Sequence, residues 1–206
     1  MKTCALVGSV DFNAEDFLHR SFDYVIAVDG GYAHLEAIGV KPNVVMGDFD
    51  SLGYVPRHPR IARFPVEKDK SDMELALERA LARHADEIFV YGGLSGRLDH
   101  TIANLQLFAK FSEKGPYVTG IGHDFAVRVL TGPDVFELPE GLDVGTVSVF
   151  AANDRAVGVI ESGMKYPLDD VVLTNRTSLG LSNELQGEPV RIGVEEGSLY
   201  IFYPLN

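Results

Sequence analysis

The stretch Val44-Val45-Met46-Gly47-Asp48-Phe49-Asp50-Ser51 places two acidic side chains directly after an apolar run. Such a run is typical of a buried strand, so Asp48 and Asp50 are expected where that strand reaches the surface. Because residues two apart in an extended chain project to the same face, both carboxylates point one way. Carboxylates this close raise each other's pKa unless a cation lies between them, and their oxygens are ligands that Mg²⁺ and Ca²⁺ prefer. The alternative interpretation is a polar turn at the end of a strand.

The composition restricts the partners that the chain can bind. With 206 residues, of which 46% are apolar, it forms one domain of ordinary size or two small ones. A formal net charge of −12 argues against nucleic acid and anionic membranes as partners, although a metal ion and local cations can hold a small phosphorylated ligand. The apolar run 3–10 is too short to span a membrane and is predicted to be a strand. The single cysteine cannot form an internal disulfide, so we expect a cytoplasmic protein.

Apolar runs of strand length alternate with helical patterns from the N-terminus to about Lys110. This alternation predicts an α/β domain with a mostly parallel sheet and crossover helices. In such sheets, ligands bind beyond the carboxyl ends of the strands. The predicted strands are 4–10, 24–28, 43–46 and 87–91, and the predicted helices are 14–20, 32–38, 72–84 and one that begins near residue 98.

Three of these strands are each followed by a glycine-rich or acidic segment, and parallel pairing brings the three segments to one rim of the sheet. They are Asp29-Gly30-Gly31, the Gly47–Ser51 stretch, and Gly92-Gly93-Leu94-Ser95-Gly96-Arg97. The glycines of the third segment let the backbone approach a ligand closely, and Arg97 suits phosphate oxygens. The helix that follows offers unpaired N–H groups to an anion. The segment fits neither the Walker A motif nor G-x-G-x-x-G.

Two helix starts add further charged groups. Ser71 is the predicted N-cap of a capping box, which places Asp72 in the first turn, where the helix dipole favours its ionised form. The charged run 67–70 before it is typical of a solvated loop, but a lysine such as Lys68 can reach a phosphate from there. Asp99 lies in the first turn of the next helix, and the adjacent His100 is either a base or a structural residue.

After roughly residue 115 the pattern changes to short β-prone runs separated by Gly, Pro, Asn and Asp. This pattern is typical of an antiparallel sandwich or barrel. We therefore predict an α/β domain at 1–125 and an all-β sandwich domain at 126–206. The loops 163–168 and 178–184 carry polar and aromatic groups, but on their own they indicate only turns.

The ordered motifs resemble those of the thiamine pyrophosphokinase family. They are Asp-Gly-Gly, Gly-Asp-Phe-Asp-Ser, Lys-Asp-x-Ser-Asp-x-Glu-x-Ala-Leu, Gly-Gly-x-x-Gly-Arg-x-Asp-His and a late Leu-Ser-Asn-Glu, and they extend over nearly the whole chain. The resemblance implies a catalytic α/β domain and a thiamine-binding β-sandwich that work as a homodimer. It also implies transfer of a pyrophosphoryl group from ATP to the hydroxyl of thiamine, which yields thiamine diphosphate and AMP.

The resemblance assigns roles to individual residues. The acids that match the Mg²⁺–ATP site of the family are Asp48, Asp50, Asp72 and Asp99. Mg²⁺ usually keeps several waters and takes one or two protein carboxylates, so we expect some of these acids to act through water. The residues expected around the nucleotide are Asp29, Gly30, Gly31, Lys68, Ser71, Gly92, Gly93, Ser95, Gly96, Arg97 and His100. Ser182 and Asn183 match the thiamine site, which the family builds across its dimer interface.

One position departs from the family pattern. The family often has a tryptophan in the thiamine pocket, whereas this chain has none and places Tyr166 there. Tyrosine can also stack on a ligand, at about 0.5–1.5 kcal/mol, or it can be a core aromatic of the sandwich. The alternatives are therefore a pyrophosphokinase for another hydroxymethyl heterocycle, a metal-dependent phosphohydrolase, or a thiamine- or nucleotide-binding module without catalysis. Four acids in the right order favour catalysis over simple binding.

Overall fold

The structure is a computed structural model that describes residues 1–49, 52–65 and 67–205. A mixed sheet with helices and a separate antiparallel sheet make up the architecture. The elements follow the order β1 (Thr3–Val7), α1 (Ala14–His19), β2 (Tyr24–Val28), α2 (Gly31–Ala37), β3 (Val44–Gly47), β4 (Ile61–Arg63), α3 (Asp72–Ala82), β5 (Glu87–Tyr91), α4 (Leu98–Ser112), β6 (Tyr117–Ile121), β7 (Phe125–Thr131), β8 (Asp134–Glu137), β9 (Thr146–Ala151), β10 (Arg155–Ser162), β11 (Leu168–Thr174), β12 (Asn183–Glu184), β13 (Arg191–Val194) and β14 (Ser198–Pro204).

The chain divides into two compact units. The first contains Met1–Phe111 and Val118–His123, and the second contains Ser112–Tyr117 and 124–205. None of the helices in the described ranges has the length and apolar character that a membrane span requires.

Parallel strands form the centre of the first unit. The order β5-β1-β2-β3-β4 is parallel throughout, and β1 pairs with both β2 and β5. Leu6 in β1, Ile26 in β2 and Ile88 in β5 are fully buried, as expected for strands covered on both faces. The carboxyl ends of these strands point the same way, which brings the segments after them together.

Helix α3 begins where the sequence predicts. Ser71 Oγ accepts a hydrogen bond from the Glu74 amide at 3.1 Å and so satisfies one of the free N–H groups of the first turn. Helical spacing predicts a buried face of Met73, Ala76, Leu77, Ala80 and Leu81, of which the first four are buried and Leu81 is half-buried. The cap therefore fixes Asp72 as the first residue of the helix.

For helix α4, helical spacing predicts an apolar stripe of Leu98, Ile102, Leu105 and Ala109, and of these four only Ala109 is buried. Leu98 and Ile102 are 72% and 48% exposed, whereas Phe108 and Phe111 near the other end are fully buried. Gly120 in β6 leaves room for Phe108, because a Cβ atom there would lie 2.7 Å from both the Leu94 and the Phe108 side chains. The C-terminal half of α4 thus packs on the sheet through a glycine, and its N-terminal half faces outward.

The second unit consists of two antiparallel arrangements. The strands β12-β9-β14-β7 are neighbours in one, and β11-β10-β13-β8 in the other. Alternate residues point inward, as in β9, where Val147 and Val149 are buried and their neighbours are not. The β-prone runs of the sequence therefore form strands, as predicted.

Candidate active site

The carboxyl ends of β1, β2 and β5 border a cleft of about 410 Å³ in the first unit, here called the sheet-edge cleft. Parallel sheets commonly bind ligands in this position. The predicted site residues in its wall are Asp29, Lys68, Ser71, Asp72, Gly92, Gly93, Ser95, Arg97 and His100. The wall also contains residues that sequence reasoning missed, namely Ser9, Val10, Val28, Asp69, Lys70, Met73 and Asn104.

A lysine lies between two of the predicted acids at this cleft. Lys68 Nζ is 3.4 Å from Asp48 Oδ2 and 3.3 Å from Asp72 Oδ1, and it also donates to the Pro65 carbonyl at 3.0 Å. The three charged side chains are only 11–18% exposed. A cation between Asp48 and Asp50 stays a prediction, because Asp50 lies outside the described residues. For Asp48 and Asp72, the Lys68 ammonium supplies the positive charge.

Asp72 keeps an unsatisfied oxygen in this arrangement. Its Oδ1 is buried and forms no hydrogen bond with any described residue, although Lys68 Nζ lies 3.3 Å away, at ion-pair distance. Burial raises the pKa of the Asp72 carboxyl, the Lys68 charge opposes that rise, and the charges of Asp48 and Asp29 add to it. A buried oxygen of this kind is suited to a further cation.

The glycine-rich loop after β5 forms the opposite wall. Gly92 has a φ of +63°, and a side chain there would overlap the Gly8 carbonyl, so only glycine fits. Asn104 Nδ2 donates to the Gly93 carbonyl at 2.7 Å and ties the loop to α4. Ser95 Oγ is buried and, within the described ranges, has no hydrogen-bond partner. The loop therefore presents backbone groups and one unsatisfied hydroxyl to the cleft.

Asp99 is paired within its own loop. Arg97 donates to both of its carboxylate oxygens, at 3.1 Å and 2.5 Å, and this interaction lowers the pKa of the Asp99 carboxyl. Both side chains are largely exposed, and Arg97 lines the sheet-edge cleft, whereas Asp99 lies outside its wall. The structure thus brings Asp48 and Asp72 together through Lys68 and leaves Asp99 with Arg97. Asp50, the remaining predicted acid, lies outside the described residues.

The other predicted glycines have packing roles. Gly30 is the N-cap of α2, and a side chain on Gly31 would overlap the Val7 carbonyl, so glycine allows α2 to approach β1. Gly96 has a φ of +78° and lies against Val10. None of these three is among the residues of the cleft wall.

A divalent cation fits the acid pair. Across the part of the chain that the structure describes, which omits Asp50, no group of three His, Cys, Asp or Glu side chains could hold a metal ion. Asp48 and Asp72 nevertheless provide two carboxylates, a shared cation position and one unsatisfied oxygen. Two carboxylates are the usual protein contribution to bound Mg²⁺, with water and phosphate oxygens completing the shell.

In the second unit, the Asn183 side chain is committed to internal hydrogen bonds. It is 4% exposed, and its Oδ1 accepts from the Tyr166 and Glu184 amides, both at 3.0 Å. Its Nδ2 donates to the Tyr166 carbonyl at 2.8 Å and to Glu161 Oε2 at 3.0 Å. Both hydrogens and both lone pairs are thereby used. Asn183 therefore holds the backbone of Tyr166 in place.

The neighbouring residues differ in exposure. Tyr166 is 56% exposed, with Lys165 Nζ 5.3 Å from its ring centre, and Ser182 is also exposed with a φ of +57°. Glu161 is 1% exposed, burial raises the pKa of its carboxyl, and its Oε1 has no hydrogen-bond partner among the described residues. The Tyr166 ring is thus an accessible aromatic surface in this cluster, whereas Asn183 and Glu161 are buried.

Comparisons with known proteins give one consistent family. A family profile described as "Thiamin pyrophosphokinase, catalytic domain" matches residues 16–119, more than half of the chain, and one described as "Thiamin pyrophosphokinase, vitamin B1 binding domain" matches residues 135–199. The chain is 29% identical over 166 residues to thiamine pyrophosphokinase of Bacillus subtilis, which covers 78% of this chain and 77% of the relative. It is 22% identical over 185 residues to thiamin pyrophosphokinase 1 of Caenorhabditis elegans, which covers 84% and 76%.

Solved structures share the fold. The crystal structure of thiamine pyrophosphokinase from Bacillus subtilis superposes with a TM-score of 0.87 at 24% identity over the full length of both chains. That of thiamin pyrophosphokinase from Geobacillus thermodenitrificans gives 0.82 at 25% identity, covering 99% of this chain and 98% of the other. Thiamin pyrophosphokinase from Candida albicans gives 0.81 at 15% identity, covering 100% and 89%. The chain therefore belongs to the thiamin pyrophosphokinase family of ATP-dependent diphosphotransferases.

Proposed function

We propose that the protein binds Mg²⁺–ATP in the sheet-edge cleft and transfers its pyrophosphoryl group to the hydroxyl of thiamine, giving thiamine diphosphate and AMP. The observation that carries this proposal is the placement of Lys68 between Asp48 and Asp72 beside the glycine-rich loop. A triphosphate needs cations and backbone donors of this kind, since phosphoryl transfer depends mainly on positioning and electrostatic stabilisation.

Asp48 and Asp72 are the proposed metal ligands, and Asp50 is the third acid that the sequence adds to them. Bound there, Mg²⁺ would neutralise part of the charge on the triphosphate. The unsatisfied Oδ1 of Asp72 supports this role for its carboxylate. We propose that Asp99 contributes by orienting Arg97, because both of its oxygens accept from that guanidinium.

The phosphate contacts are proposed for Lys68, Arg97 and the loop after β5. Lys68 is the cation nearest to the acids, and Arg97 presents a planar guanidinium at the wall of the cleft. Ser95 Oγ and the glycine amides of the loop can donate to phosphate oxygens at close range. Asp29, Ser71 and His100 complete the proposed nucleotide surface, and Gly30, Gly31 and Gly96 support it through their packing.

For thiamine, we propose that the second unit supplies the Tyr166 ring as a stacking surface and Ser182 and Asn183 as further residues of the binding site, with Asn183 holding the Tyr166 backbone. The exposure of Tyr166 and the bonds of Asn183 to its backbone support this assignment. We further propose an α/β catalytic domain at 1–125 with a mostly parallel sheet and a thiamine-binding β-sandwich at 126–206. The two matched profiles, at 16–119 and 135–199, support this division. A homodimer in the cytoplasm is proposed as the working form.

The experiment that tests the function is incubation of the protein with ATP, Mg²⁺ and thiamine, followed by chromatographic analysis of the products. The proposal predicts AMP and thiamine diphosphate in equal amounts, formed only when all three components are present. Free phosphate or ADP without thiamine diphosphate would indicate a hydrolase instead. Absence of any product with thiamine, but AMP formation with another hydroxymethyl heterocycle, would place Tyr166 in a pocket of different specificity.

A further inference from the structure

Three residues with unusual backbone angles meet beside the sheet-edge cleft. Asp29 has a φ of +49°, Gly47 a φ of +146° and Phe49 a φ of +65°. A positive φ is uncommon outside glycine, and for a bulky residue such as Phe it is an outlier that the surrounding structure must stabilise. Phe49 is 3% exposed, so its side chain is buried in spite of the strained backbone. A Cβ atom on Gly47 would lie 3.0 Å from the Asp29 Cα, which shows how closely the two segments approach.

Asp29 holds the strained segment at both of its ends. Its backbone N–H donates to the Met46 carbonyl at 2.7 Å, and its side-chain Oδ1 accepts from the Phe49 amide at 3.0 Å. Met46 lies just before Gly47, and Phe49 lies just after Asp48. Asp29 is therefore hydrogen-bonded to both ends of the turn 46–49. Asp is among the few residues other than glycine that adopt a positive φ readily, which explains its use at this position.

The turn that Asp29 closes carries Asp48. The Asp48 side chain is 11% exposed and its Oδ2 lies 3.4 Å from Lys68 Nζ. The direction of that side chain follows from the backbone angles of Gly47 and Phe49, which flank it. Loss of the hydrogen bond to the Phe49 amide would release the strained angle and turn the Asp48 carboxylate away from Lys68 and Asp72.

We propose that Asp29 is a positioning residue, whose Oδ1 fixes the Phe49 amide and thereby aims the Asp48 carboxylate at Lys68 and Asp72. This inference rests on the proposed function in one respect, because Asp48 is taken as part of the Mg²⁺–ATP site. It refines the nucleotide contact expected for Asp29 from the sequence. This positioning role requires a hydrogen-bond acceptor that tolerates a positive φ, and it does not require the negative charge of Asp29.

Two substitutions separate the acceptor from the charge. Asp29→Asn keeps a side-chain oxygen for the Phe49 amide and tolerates the positive φ, but it removes the charge. Asp29→Gly adopts the same φ without strain and removes the acceptor. Because neither variant strains the backbone, both are expected to fold. Asp170 in β11 has a φ of +50°, is exposed and belongs to the second unit, so Asp170→Asn and Asp170→Gly are the matched controls.

The measurements are kcat, the KM for ATP, Mn²⁺ affinity by electron paramagnetic resonance, and hydrogen exchange of the Phe49 amide. Positioning of a ligand-bearing segment is worth about 10–100-fold in activity or metal affinity. We therefore expect Asp29→Gly to lower kcat and Mn²⁺ affinity by about that factor and to speed exchange at the Phe49 amide. Asp29→Asn should keep the parent rate of exchange at the Phe49 amide and retain about tenfold more kcat and Mn²⁺ affinity than Asp29→Gly. Both Asp170 variants should leave kcat, Mn²⁺ affinity and exchange at the Phe49 amide unchanged.

Each of the following three results would contradict a different statement. If Asp29→Asn were as impaired as Asp29→Gly, the charge would be the required property and the proposal would be wrong. Parent-like kcat and amide exchange in Asp29→Gly would show that the hydrogen bond positions nothing. If the parent protein formed no thiamine diphosphate, the proposed function would fail, and exchange at the Phe49 amide would still decide whether Asp29 holds the turn.

Discussion

Replacement of Asp72 by Asn is expected to lower kcat by at least about 10²-fold, the usual cost of removing one preorganised group that stabilises charge in a transition state. The carboxylate is less than one-fifth exposed, shares Lys68 with Asp48 and keeps an unsatisfied oxygen. Asn retains the size of the side chain but cannot provide the charge that Mg²⁺ and Lys68 require. Steady-state assays of thiamine diphosphate formation at saturating ATP measure the effect.

The fold should tolerate this change. Burial raises the pKa of the Asp72 carboxyl, which means that its charged form is not favoured by its surroundings, and Asn removes that charge. Glu15→Gln is the matched control, since Glu15 is an exposed acid in the first turn of α1 and its neutralisation removes the same helix-dipole interaction. Near-normal turnover in Asp72→Asn, with both variants folded, would exclude Asp72 from the active site.

Replacement of Asn183 by Ala is expected to lower the free energy of unfolding by about 3 kcal/mol or more. The substitution removes a hydrogen-bond partner from the Tyr166 amide, the Glu184 amide and the Glu161 carboxylate. Each buried polar group left unsatisfied costs about 1–3 kcal/mol. The midpoint of urea denaturation, compared with that of the parent protein at equal slope, measures this loss. A loss of unfolding free energy below about 1 kcal/mol would show that the hydrogen bonds of the Asn183 side chain do not stabilise this loop.

The cost of Asn183→Ala should also increase with pH. Burial raises the pKa of Glu161 above its ordinary value, so the folded state favours the protonated form and loses stability as pH rises above about 4.3. The hydrogen bond from Asn183 Nδ2 lowers that pKa, and its removal enlarges the loss. Denaturation midpoints at pH 4 and pH 7 therefore diverge more in Asn183→Ala than in the parent. In a Glu161→Gln background the extra pH dependence should disappear, and its persistence would assign it to another group.

Local patterns were sufficient to predict much of the fold. The Ser71 cap and the buried face of α3 follow from short-range spacing, and both are confirmed. The predicted strand 87–91 matches β5, whereas β1 ends at Val7, three residues before the predicted end. After Val7, the Gly8 amide donates to the Tyr91 carbonyl and Gly8 lies against Gly92. Local hydropathy cannot predict such a contact between segments that are distant in the sequence.

Features that depend on distant partners could not be predicted. Strand β4 (Ile61–Arg63) was missed because it is three residues long and two of them are exposed, which leaves no apolar run. The contact of Asn104 with Gly93 was missed as well. Its spacing of four residues from His100 on one helix was an available signal, since residues i and i+4 share a face. The internal role of Asn183 depends on Glu161, 22 residues away in the sequence.

Within the candidate site, the structure adds an interaction that the sequence did not specify. The Lys68 ammonium lies between Asp48 and Asp72, and its position depends on a loop without periodic structure. The metal-site role that the resemblance implies for Asp99 stays a prediction, and the structure adds an ion pair between Asp99 and Arg97, two residues before it. Neighbouring opposite charges can satisfy each other locally, and sequence order alone does not show when they do.

The measurement that most directly tests the proposed Mg²⁺–ATP site is a crystal structure of the protein with a non-hydrolysable ATP analogue and with Mn²⁺ in place of Mg²⁺. Anomalous scattering then locates the metal without reference to activity. We expect a peak bonded to oxygens of Asp48 or Asp72, with Lys68 Nζ displaced from between the two carboxylates to a phosphate oxygen. A metal peak elsewhere, with nucleotide outside the sheet-edge cleft and Lys68 still between Asp48 and Asp72, would contradict the proposed Mg²⁺–ATP site.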